Sequence, residues 1–230
     1  MKIHMPEIKI FVFGRYGSLL IALLLLMLVQ PTVETLFGKY LLEALFIAVL
    51  LAGLKALEIK KGLFRFELTL LLVSLALSIV GTLGGYEGLF LIGIAGRVLF
   101  MLLVALTILL DLFRSHKVSE DTLAGAVCVY LLIAVIWAYV FLLIEFLQPG
   151  SFSFTQGQAH MQLWVSREFF PFYYFSLVTM TTVGYGDMSP VSTEARTFAT
   201  MEALVAQIYL TILVARLVGM YLMHQQDKEK

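Results

Sequence analysis

Apolar residues arrive in six blocks, at about 16–33, 40–57, 66–83, 89–112, 122–147 and 195–223, each bounded by charged, Gly or Pro residues. Every block approaches or exceeds the roughly 20 apolar residues needed to cross a bilayer. Gln30-Pro31 interrupts the outer end of the first, and the turn Gly84-Gly85-Tyr86-Glu87-Gly88 joins the third tightly to the fourth. A seventh apolar stretch, from Phe169 to Met180, is too short to span and reads as a helix that enters the membrane and stops. The pattern predicts an all-α membrane protein with six transmembrane helices and a re-entrant helix between the fifth and sixth.

Composition agrees. Of 230 residues 60% are hydrophobic and 14% charged, far too apolar for a soluble domain of this length. The single cysteine, Cys128, excludes an intrachain disulfide and reads as a packing residue. The first block lacks a small-residue cleavage pattern, so it is expected to be retained as a membrane helix.

Net charge is zero, but its distribution is not neutral in meaning. With a cytoplasmic N-terminus, eleven Lys and Arg fall on that side (positions 2, 9, 15, 55, 60, 61, 65, 114, 117, 228 and 230) against Lys39, Arg167 and Arg196 outside. Cytoplasmic loops carry the basic excess, so both termini are expected inside, in a multi-pass protein of the cell (inner) membrane, and the re-entrant segment dips from the outside.

That segment leads into Thr181-Thr182-Val183-Gly184-Tyr185-Gly186-Asp187. Gly184 and Gly186 tolerate positive φ, which lets successive carbonyls face one axis; Thr182 adds a hydroxyl oxygen, and Val183 and Tyr185 are expected to point away and pack behind. Pro171 suits a first helical position, and the carbonyl end of the short helix favours a cation. A phosphate-binding loop would need a downstream Lys-Ser/Thr, which is absent.

Thr-Val-Gly-Tyr-Gly resembles the selectivity filter of the potassium-channel superfamily, in which backbone carbonyls replace the hydration shell of K⁺. From about Val118 to Met223 the chain is similar to that family's pore domain, and to small bacterial ion-channel proteins ending in Val-Ala-Arg-Leu-Val-Gly, here Val214 to Gly219. The resemblance implies K⁺ ions held by Thr182, Val183, Gly184 and Tyr185, a homotetramer in a lipid bilayer, and a division into an N-terminal four-helix membrane domain, 1–113, and a pore domain, 114–230. It implies that Tyr174 and Asp187 clamp the filter and that Thr181 supports it. Val178 stands where some bacterial channels carry an acid. Ala206 stands at a hinge position, and Gln207, Leu210, Val214 and Val218 form the candidate pore-facing stripe, with an apolar ring at Val214 and Val218 able to close the pore by dewetting.

The fourth block has Arg97 alone, followed at three-residue spacing by Phe100, Leu103 and Leu106, so strong voltage gating is not expected. Glu43 and Glu202 are its candidate partners; Glu202 has a second reading, a hydrogen bond behind the filter near Thr181. Ser119 reads as an N-cap for the fifth span, and His116 sits in the link before it. No catalytic constellation is present, and neither an organic cofactor nor a nucleic-acid partner is expected; a cytosolic regulator remains compatible. The rival readings are a non-conducting modulatory or sensor subunit and a K⁺ transporter.

Overall fold

The computed structural model describes residues 14–29, 47–49, 51–53, 61–114, 119–154 and 169–228. Glu43, His116 and most of the second span lie outside these. The helices are α1 (Gly17–Val29), α2 (Lys61–Gly84), α3 (Glu87–Arg114), α4 (Glu120–Leu147), α5 (Phe169–Met180) and α6 (Thr193–Lys228). Among the described residues three helices are long and apolar enough to cross a membrane, at Glu87–Arg114, Glu120–Leu147 and Thr193–Arg216. α2 covers the third expected span, and α1 the first part of the first.

The all-α expectation needs one correction. Strands β1 (Phe152–Phe154) and β2 (Met188–Pro190) pair antiparallel, with Phe152 opposite Pro190 and Phe154 opposite Met188. A second correction concerns α5, which begins at Phe169, so Pro171 is its third residue rather than its first. The shift costs no bond, because the first-turn N–H groups of a helix have no intrahelical acceptor.

By contact the chain forms two compact units, residues 1–65, 104–129 and 216–230, and residues 66–103 and 130–215. Each draws on both sides of the expected 113/114 boundary. In the first unit Tyr16 ties two helix ends together. Its hydroxyl donates to Asp111 Oδ2 (2.6 Å), its backbone N–H donates to Asp121 Oδ1 (3.1 Å), and its ring lies where Gly125 has no side chain. Buried Cys128 points its thiol at the Tyr16 carbonyl oxygen, a packing residue with one weak bond. Ser119 caps α4 by accepting from the Thr122 N–H (3.1 Å), with Glu120 and Asp121 in the first turn, where the helix dipole favours them. The Arg216 guanidinium lies 4.6 Å from the Phe113 ring centroid, a cation–π contact.

In the second unit α2 and α3 approach closely because small residues face each other. A Cβ on Gly93 would come within 2.7 Å of the Ser78 nitrogen and 2.9 Å of the Ser74 oxygen, and one on Gly96 within 2.8 Å of the Ser74 Cβ. This is the small-residue packing that membrane helices use when no hydrophobic force separates helix from lipid. α4 packs on α5 through a cluster of aromatic rings: Phe141 meets Phe175 edge-on at 5.1 Å, and Tyr139 meets Phe169 at 4.6 Å. α4 meets α6 through Tyr130 and Tyr209 at 6.1 Å and Trp137 and Phe198 at 6.3 Å.

Candidate functional site

The C-terminal end of α5 organises the segment that follows it. A helix leaves its last four carbonyls without intrahelical donors, and here the next residues supply donors to three of them. Thr181 N–H donates to Leu177 O (3.0 Å), Thr182 N–H to Thr179 O (3.0 Å), and Val183 and Gly184 N–H both to Val178 O (3.0 and 3.4 Å). The Thr181 hydroxyl also donates to Leu177 O (2.6 Å). In a trans peptide the carbonyl opposes the N–H across the plane. Turning the N–H groups of 182, 183 and 184 back onto α5 therefore turns the carbonyls of Thr181, Thr182 and Val183 away from it.

Positive φ recurs at every second residue: Thr182 (60°), Gly184 (58°) and Gly186 (78°). The glycines take this without a Cβ penalty. Thr182 does not. A β-branched residue there is an outlier costing about 1–2 kcal/mol, a cost met by the bonds on either side of it. Val178 serves through its carbonyl, which accepts twice, rather than through its side chain.

At the outer end Tyr174 Oη donates to Asp187 Oδ2 (2.8 Å), and Asp187 Oδ1 accepts the Met188 N–H (3.1 Å). The Tyr174 and Tyr185 rings stack at 6.4 Å with planes 4° apart. Residues 181–187 are all exposed within one chain, Val183 at 51% and Tyr185 at 71%. The expected packing of Val183 behind the strand is thus not provided by this chain's own side chains.

α6 is capped by Ser192, whose hydroxyl accepts the Ala195 N–H (3.1 Å). Its buried face runs through Ala195, Ala199, Glu202 and Ala206, spaced four, three and four residues apart. Ala206, the expected hinge position, is therefore buried in the chain. Gln207, Val214 and Val218 are exposed and Leu210 half-exposed. A Cβ on Gly219 would meet nothing.

Glu202 is fully buried, and its Oε1 is hydrogen-bonded to Ser176 Oγ of α5. The same Oγ lies 2.9 Å from the Ala134 carbonyl oxygen of α4. A hydroxyl has one proton to donate, so Ser176 of α5 serves one of these two oxygens at a time, and its Oγ lies within reach of both α4 and α6. Glu202 thus sits at the back of α5, hydrogen-bonded to Ser176, and its Oε2 has no hydrogen-bond partner among the described residues. Arg97 is half-buried in α3.

Sequence reasoning passed over three polar groups. Ser176 sits in an aromatic run with no motif around it. Glu67 in α2 is 1% exposed with neither carboxyl oxygen hydrogen-bonded among the described residues; its place inside an apolar block was the available signal. Glu145, near the end of α4, accepts the Gly150 N–H at Oε1 (2.8 Å) and the Phe152 N–H at Oε2 (3.1 Å).

No group of three or more His, Cys, Asp or Glu able to hold a metal ion occurs among the described residues. Main-chain oxygens following α5 are the donors this site offers. No curated protein and no solved structure matches the chain. Residues 125–223, somewhat less than half of it, match the family model described as "Ion channel", which supports an ion-channel family and a membrane protein rather than an enzyme.

Proposed function

We propose that four copies of this chain form a potassium-selective pore that conducts passively and is not strongly voltage-gated. The observation that carries the reading is the set of N–H groups at 182–184 tied back to α5, with the carbonyls of Thr181, Thr182 and Val183 turned the other way. Carbonyl rings of this kind replace the hydration shell of a cation. The partial negative charge at the end of α5 favours that cation electrostatically.

One chain supplies one quarter of such a ring. The exposure of Val183 and Tyr185 and of the Gln207, Val214 and Val218 face of α6 fits a molecule whose neighbours cover or face these residues. Potassium is the cargo, held at Thr182, Val183, Gly184 and Tyr185 with Gly186 as the outer glycine. Voltage dependence is weak because Arg97 is the single basic residue in the apolar stretch of α3, Arg114 being its terminal residue. Moving one charge through the field is worth about 2.3 kcal/mol per 100 mV, and α3 offers no second Arg or Lys at three-residue spacing.

The test is a reversal potential. Full-length protein in planar bilayers, with KCl on one side and NaCl on the other, should give a current reversing near the K⁺ equilibrium potential. A current reversing near zero sinks the selectivity. Silence favours a modulatory subunit, and flux coupled to a second ion favours a transporter.

A further inference from the structure

We infer that Glu145 is a positioning residue for the outer end of the filter segment, acting through the β1–β2 ribbon. The inference rests on the filter reading above. Glu145 lies two residues before the end of α4 and is 7% exposed. A carboxylate this buried needs bonded partners, and its partners are two backbone donors rather than a cation. Oε1 takes the Gly150 N–H and Oε2 the Phe152 N–H, so one side chain spans and fixes the whole turn between α4 and β1. Gly150 turns the chain at φ 87°, and Ser151 Oγ closes the turn on the Gln148 carbonyl (2.7 Å).

The fixed turn then grips the residues leaving the filter. Ser151 O accepts the Val191 N–H (2.7 Å) and the Ser192 N–H (3.3 Å). The ladder continues through Ser153 opposite Ser189 to Phe154 opposite Met188. Hydrogen-bonded and non-hydrogen-bonded pairs alternate in an antiparallel ladder. The 151–191 bond therefore makes Ser153 and Ser189 a hydrogen-bonded pair. Met188 adjoins Asp187, whose other carboxylate oxygen is held by Tyr174. Asp187 is thus fixed from two sides, by α5 through Tyr174 and by α4 through Glu145, the turn and the ribbon. Phe152, buried against Phe141, Phe172 and Phe175, seats the ribbon on both helices.

The chemistry makes glutamine a severe probe. Its amide has one acceptor oxygen, and its NH₂ would face a second N–H donor, so Glu145→Gln breaks one of the two bonds while keeping the shape. In the full-length channel the K⁺-over-Na⁺ permeability ratio should fall about tenfold, equivalent to about 1.4 kcal/mol. Ser153→Pro, which deletes a ladder N–H without touching Glu145, should lower it by a similar factor. The double variant should be no worse than the single ones, because both cut one chain of contacts.

A wild-type protein without selectivity sinks the underlying filter reading. A selective wild type whose Glu145→Gln tetramer keeps its permeability ratio overturns the role of Glu145. Additive losses in the double variant overturn the route through the ribbon. Failure of both single variants to assemble also overturns the inference, since Glu145 would then serve assembly alone.

Discussion

α2 and α5 each hand the chain to a residue of positive φ within two residues of the helix end, α2 at Gly85 (68°) and α5 at Thr182 (60°). The first is an ordinary stop. Glycine after a helix adopts the left-handed conformation without a Cβ penalty, and the chain re-enters a helix at Glu87. The second uses a residue that resists the conformation, then repeats positive φ at 184 and 186, and binds the N–H groups of 181 to 184 to the helix just left. A turn whose only task is to reverse the chain takes the residue that costs least. Backbone strain that persists at a threonine points to a group needed there, here a hydroxyl and a carbonyl on the same residue.

Exchanging the glycines gives the largest contrast. Gly184→Ala places a Cβ at φ 58° and should cost about 1–2 kcal/mol per chain, in each of the four copies of the proposed pore. K⁺-selective current should be abolished while the protein still reaches the bilayer. Gly85→Ala carries a similar local penalty at φ 68° and meets nothing within 4 Å. It should lower thermal stability and leave the reversal potential alone. Equal loss of selectivity in both variants would erase the distinction between the two helix ends.

The difference was only partly legible in the sequence. The apolar blocks located α2, α3, α4 and α6 because a membrane helix is long and uniformly apolar. The phase of α6 was half legible: Gln207 already stood in the candidate stripe, whereas nothing in an alanine marked Ala206 as buried. The glycines at 184 and 186 announced positive φ, whereas Thr182 hid it, since residue type argues against that conformation. The ribbon was illegible because Phe-Ser-Phe and Met-Ser-Pro are too short to show a two-residue period, and their pairing joins residues more than thirty positions apart. Glu145 was invisible for a related reason. Its partners are backbone donors, which every sequence has.

A smaller effect separates how the two helices are anchored before they end. α2 faces α3 through glycines and Ser74, whose hydroxyl is spent on its own Leu71 carbonyl (2.8 Å). α5 is tied outward by Ser176 to Ala134 and Glu202. Glu202→Leu removes a partner from a buried hydroxyl and should cost about 1–3 kcal/mol, read as a lower temperature of dissociation of the proposed tetramer in detergent. Glu202→Gln keeps a hydrogen-bonding head group of the same length and should recover most of the loss. Leu and Gln behaving alike would mean that Ser176 draws nothing from Glu202 and that the Ala134 carbonyl alone anchors α5.

Thr182→Gly should move stability least and is the sharpest test of why threonine stands there. Removing the Cβ relieves about 1–2 kcal/mol of left-handed strain. Glycine also loses more backbone freedom on folding, which costs about 0.5–1 kcal/mol, so the two effects nearly cancel and tetramer dissociation should shift by only a few degrees. Selectivity should respond differently. The carbonyl survives the substitution but the hydroxyl does not, and glycine adopts other φ values as readily as the 60° found here. The K⁺-over-Na⁺ ratio should therefore fall although the assembly is as stable as before. If stability rises by the full strain energy while selectivity holds, the left-handed threonine is a burden without a use, and the two helix ends differ in sequence alone.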